Sequence, residues 1–151
     1  MRSIVTALIV LSLGACVSGT PEYVYTRTSS VTVTVRVQSA SRVGVGEWLR
    51  LRASRATAGQ WHKVRLADVP KDVAWIAYIP PPHESDLAPS LRWFAEPMDG
   101  VEFDNPATRV VPPDERGVKF ARPGTYRLWG TSYAPLDARS NTLQVEVTAR
   151  D

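Results

Sequence analysis

The chain has 151 residues, 44% of them hydrophobic and 22% charged, with one Cys and a formal net charge of +3. That length suits one domain, and a single thiol excludes an intramolecular disulfide framework and the Cys-rich zinc modules. Five Trp, five Tyr and three Phe among abundant Val and Leu exclude a disordered chain, and Arg and Lys scattered without a basic run argue against a nucleic-acid partner.

Met1-Arg2 supplies a positive start, and Ile4 to Ala15 is apolar apart from small residues. A lasting membrane helix needs about 20 apolar residues, so this stretch is too short and has the layout of a secretory signal. It ends Leu13-Gly14-Ala15-Cys16, which resembles the lipobox of bacterial lipoproteins. The resemblance implies removal of residues 1–15, a diacylglycerol on the Cys16 sulfur and an acylated new amino group. This covalent lipid is then the only non-protein group expected, with no cofactor. Two or more acyl chains hold a protein stably on a membrane, whereas one is marginal. Val17 in place of Asp after the Cys implies, by the same resemblance, the outer membrane, facing the periplasm or the cell surface.

Residues 16–29 read as a lipidated tether and residues 30–151 as the folded domain. Val31, Val33, Val35 and Val37 alternate with Thr32, Thr34, Arg36 and Gln38, the period of a half-buried strand. Glu47 to Ser54 repeats the pattern, with Leu49, Leu51 and Ala53 against Trp48, Arg50 and Arg52. Tyr126, Leu128 and Gly130 alternate with Arg127, Trp129 and Thr131, and Leu143, Val145 and Val147 with Gln144 and Glu146. No window carries a helical stripe, and twelve Pro with nine Gly leave little room for long helices. Short strands separated by turn residues predict an all-β sandwich or barrel.

Phe120-Ala-Arg-Pro-Gly-Thr-Tyr126-Arg-Leu128 resembles the lead-in to strand F of immunoglobulin-like domains, including bacterial PKD-type ones. The resemblance implies a sandwich of about seven core strands, with Gly124 in the turn and the Tyr126 hydroxyl bonded back to upstream backbone. Leu128 stands where antibody domains carry their second Cys, so this sandwich has no disulfide. Leu91-Arg-Trp93 with Glu96-Pro97 resembles strand C, with Trp93 as core tryptophan, and residues 141–149 supply strand G. The stretch 56–89 is too long for a B–C loop and reads as an inserted hairpin, including the apolar run Val73 to Ile79, with a stiff Pro-rich exit. The rival assignment makes Val73 to Ile79 strand C, with Trp75 in the core.

Catalytic chemistry is sparse, and no catalytic residue is assigned. His83, Ser85 and Asp86 are neighbours in one loop, whereas a triad needs partners held by different elements. One imidazole without thiolate is a poor zinc site, so no metal is expected. Glu96, Asp99, Glu102 and Asp104 offer the carboxylates that glycoside hydrolysis requires, but in a turn-rich segment. Gly44-Val45-Gly46 precedes a strand, not the helix that a phosphate loop needs.

A binding surface is the stronger expectation. If Trp93 points inward, Arg92 and Phe94 point outward, and parity sends Arg127 and Trp129 the same way on strand F. Strands C and F are neighbours in this fold, which makes these four a candidate aromatic-cationic patch for a protein or a glycan. Alternatively, the insertion folds over this face to bury Trp61, Trp75 and Tyr78. The resulting expectation is a non-enzymatic, membrane-anchored envelope module. The alternatives are an inhibitor or immunity protein working through the loop 80–89, and an envelope glycan hydrolase or its carbohydrate-binding accessory.

Overall fold

The structure, a computed structural model, describes residues 19–79, 91–104 and 115–149. The signal stretch 1–15, Cys16 and the loop 80–89 therefore lie outside the described residues. So do His83, Ser85 and Asp86.

The described chain is all-β. In chain order the strands are β1 (Tyr23–Thr26), β2 (Thr32–Gln38), β3 (Arg42–Gly44), β4 (Trp48–Ala58), β5 (His62–Arg65) and β6 (Trp75–Ile76). They continue with β7 (Arg92–Glu96), β8 (Val101–Phe103), β9 (Glu115–Phe120), β10 (Gly124–Thr131) and β11 (Leu143–Thr148). The only helical element among the described residues is a single 3-10 turn, Leu66–Asp68.

Two four-stranded sheets make the sandwich, in the orders β2-β4-β9-β8 and β3-β11-β10-β7. Naming β2 and β3 as the two halves of strand A, and β4, β7, β8, β9, β10 and β11 as B to G, reproduces the ABED and GFC sheets of an immunoglobulin-like sandwich. The chain leaves the first sheet after Gln38 and re-enters the second at Arg42, where β3 runs parallel to β11.

Alternation builds the core. Val35, Val37, Leu49, Leu51 and Ala53 face Leu128, Val145 and Val147 in one buried cluster. Two aromatic pairs cross between the sheets, one joining β9 to β10 and the other β7 to β8. Phe120 meets Tyr126 at a ring-centroid distance of 4.6 Å, and Trp93 meets Phe103 at 6.3 Å. The corner expected at strand F is present: Gly124 adopts φ +148, and the Tyr126 hydroxyl donates to the Arg122 carbonyl at 3.1 Å. Leu128 is fully buried.

Three findings differ from the sequence expectations. First, β4 runs on to Ala58, past Ser54, because its inward face continues in Arg55 and Thr57, both only 9% exposed. Polar residues at inward positions conceal the continuation. Second, β5 and β6 do not form a hairpin with each other. Both pair antiparallel with β1, giving a third sheet in the order β5-β1-β6. Residues 23–26, read as tether, are thus the central strand of that sheet, with Val24 fully buried. Third, the run Val73 to Ile79 contributes only the two-residue strand β6, and Trp75 is 39% exposed. The strand-C tryptophan is Trp93, which is 9% exposed and belongs to the core.

Candidate binding face

The outward face of the β7–β10 pair follows from parity. Trp93, Tyr126 and Leu128 take the inward positions, so the residues between them must point out. The register sets Phe94 opposite Trp129, Arg92 opposite Thr131 and Glu96 opposite Arg127. Arg92, Phe94, Arg127 and Trp129 are therefore brought together on one face.

At its centre the Phe94 and Trp129 rings stack with centroids 5.6 Å apart and planes 8° from parallel. Such an offset pair contributes about 0.5–1.5 kcal/mol beyond its buried area. The cations around it are already engaged. Arg127 pairs with Glu96 at 2.6 Å, both side chains being more than half exposed. The Arg92 guanidinium lies 5.4 Å from the Tyr133 ring centroid. An exposed pair such as Arg127–Glu96 adds little stability.

Tyr133 and Arg139 were not among the residues expected here. Both come from the connection between β10 and β11, and the Arg139 guanidinium sits 4.7 Å from the Trp129 ring centroid. That connection folds back on itself. Arg139 forms a bridge with Thr131, the Ser140 amide donates to the Gly130 carbonyl, and the Gly130 amide donates to the Ser140 hydroxyl. The Ser132 hydroxyl donates to the Leu136 carbonyl and accepts from the Ala138 amide. A loop held at so many points fixes the direction of Arg139. The spaced serines Ser132 and Ser140 are the only sequence signal for this, and they do not specify which side chain ends over the tryptophan.

Beyond Arg139 the face runs into a groove of about 540 Å³ beside the edge of β2, lined by Arg36, Gln38 and Asn141 among others. Asn141 closes part of that edge. Its amide accepts from the Val37 amide at 2.8 Å and donates to the Val37 carbonyl at 3.0 Å, taking the place of a neighbouring strand. Of the insertion's rings, Trp75 and Tyr78 stay exposed, at 39% and 59%, and Trp61 is half-buried.

The four carboxylates considered for hydrolysis each hold a cation. Glu96 pairs with Arg127, Asp99 with Arg122, Glu102 with Lys119 and Asp104 with Arg116. Each pair joins neighbouring strands or the turn beside them. Among the described residues, no group of three or more His, Cys, Asp or Glu is placed to hold a metal ion. In comparison with known proteins, the chain matches no family model and shows no significant similarity to a curated sequence.

Proposed function

We propose that this chain is a lipid-anchored, non-enzymatic binding module of a bacterial envelope, and that it holds a protein partner on the outer face of β7 and β10. The sequence Leu13-Gly14-Ala15-Cys16 supports the anchor, with the lipid on Cys16. The observation that carries the binding role is the stacked Phe94–Trp129 pair framed by Arg92, Arg127 and Arg139. Aromatic residues and Arg are the types enriched where interfaces concentrate their energy.

The same contacts favour a protein over a glycan. Sugars bind tryptophan through an open ring face, but Trp129 already has Phe94 stacked beside it and Arg139 over it. Ring edges, a held guanidinium and an exposed ion pair suit a polypeptide surface better.

Two measurements test the reading. Labelled palmitate should enter the wild-type chain and fail to enter Cys16→Ala. Photocrosslinking in intact envelopes should yield one defined protein adduct that the Phe94→Ala/Trp129→Ala variant loses and Arg42→Ala retains. An unchanged adduct in the double variant places the contact elsewhere and removes the face from the proposal.

A further inference from the structure

Among the described residues, a run of exposed apolar side chains lies on the third sheet. Val73, Ala74, Trp75, Ala77, Tyr78 and Ile79 are all exposed, and Ile76 alone is half-buried. This uncharged segment includes β6, the edge strand of its sheet. A contiguous apolar patch left facing water marks a contact surface.

The sheet's faces follow from its register. Tyr23 lies opposite Arg65, Tyr25 opposite Lys63 and also opposite Ile76, so these five share one face. Lys63 and Arg65 approach the Tyr23 ring at 5.0 and 5.9 Å, and no carboxylate falls among the paired positions of that face. Tyrosines beside basic residues make a composition that settles at the level of lipid headgroups, where rings meet acyl chains and cations meet phosphates. Trp75, opposite Thr26, stands on the other face of the sheet at its β6 edge.

With the proposed lipid on Cys16, chain length puts this sheet near a membrane. Residues 17–22 are all that separate Cys16 from Tyr23, and seven residue steps span at most about 25 Å even when fully extended. We infer that the β5-β1-β6 sheet rests on the bilayer, its β6 edge and the flanking apolar residues entering the headgroup region while Lys63 and Arg65 meet anionic phosphates. This inference depends on the lipid anchor at Cys16 and adds to it a fixed seating for the domain. A lipid surface fits better than a protein partner because the segment pairs with the strand that follows the tether, and because a shallow interface still hydrates the open backbone of an edge strand.

The test uses the acylated full chain reconstituted into vesicles of phosphatidylethanolamine and phosphatidylglycerol, with some lipids brominated high on the acyl chain. Tryptophan emission should be partly quenched. That quenched part should vanish in Trp75→Phe and persist in Trp48→Phe, since Trp48 is equally exposed, at 39%, but sits on the sandwich. Changing Tyr78 and Ile79 to Ser should weaken quenching while Trp75 stays in place. Equal quenching in both Phe variants, or none in the wild type, overturns the inference and leaves the anchor standing. Trp75 shielded in native envelopes yet unquenched in pure lipid assigns the surface to a protein and also overturns it. A Cys16 found unacylated by mass spectrometry removes the anchor, and the seating falls with it.

Discussion

Truncating the stacked pair separates a binding face from a second small core. In Trp129→Ala the domain loses the ring contact with Phe94 and the Arg139 contact at 4.7 Å. These are worth about 0.5–1.5 and 0.5–1 kcal/mol respectively at an exposed site. Both rings are only half-buried, so the loss should stay near 2 kcal/mol, short of the roughly 3–5 kcal/mol for a core aromatic. Phe94→Ala removes the same ring contact, so a double-mutant cycle should return a coupling of about 1 kcal/mol. Urea unfolding should remain cooperative with an unchanged slope, the midpoint alone moving. Loss of the partner adduct should be disproportionate, because a central interface anchor contributes at least about 2 kcal/mol, some 30-fold in affinity. A coupling near zero refutes the stacked geometry. A loss of cooperativity shows instead that the rings hold the fold together.

The sandwich without a disulfide makes two further predictions. Leu128→Ala, at a fully buried position where the resemblance places a Cys, should cost about 2–5 kcal/mol through the cavity it leaves, read as a fall in the chemical-denaturation midpoint. Tyr126→Phe keeps the ring packed on Phe120 but deletes the 3.1 Å bond to the Arg122 carbonyl, so about 1 kcal/mol should be lost in the same assay.

What was legible in the sequence was mostly a matter of parity. Strands whose inward positions are all apolar, such as Val35-Arg36-Val37 and Tyr126-Arg127-Leu128, announce both their existence and their outward neighbours. Once Trp93 is inside, Phe94 and Trp129 must share a face, and the structure brings them to 5.6 Å. Local pattern fails where pairing is remote. Nothing in Tyr23-Val24-Tyr25-Thr26 indicates partners at His62–Arg65 and Trp75–Ile76, because four residues flanked by polar chain carry too little alternation. Arg55 and Thr57 hid the end of β4 for the opposite reason, being polar at inward positions. Arg139 was invisible because its placement depends on a loop fold, which serine hydrogen bonds set and periodicity does not describe.

Gly117 offers a case in which two opposing effects can be weighed. A strand glycine is usually a weakness, and replacing it with Ala should gain about 0.5–1 kcal/mol from the unfolded chain alone. Here, however, a methyl group would lie 2.8 Å from an Asp104 carboxylate oxygen and 3.1 Å from the Trp48 ring. Trp48 is 39% exposed and can turn away, whereas Asp104 is 6% exposed and holds Arg116 at 3.1 Å. Its own amide also donates to the Gly117 carbonyl at 3.0 Å. Relieving the clash means pulling a buried carboxylate off a largely buried guanidinium, and overpacking of this kind costs about 1–3 kcal/mol before the ion pair is counted. The clash should therefore win, and Gly117→Ala should lower the denaturation midpoint. In an Asp104→Ala background the obstruction is gone, and the same substitution should become neutral or slightly stabilising. Equal destabilisation in both backgrounds would mean that the methyl meets something other than Asp104, and that the close approach of β9 to this carboxylate is not what requires glycine.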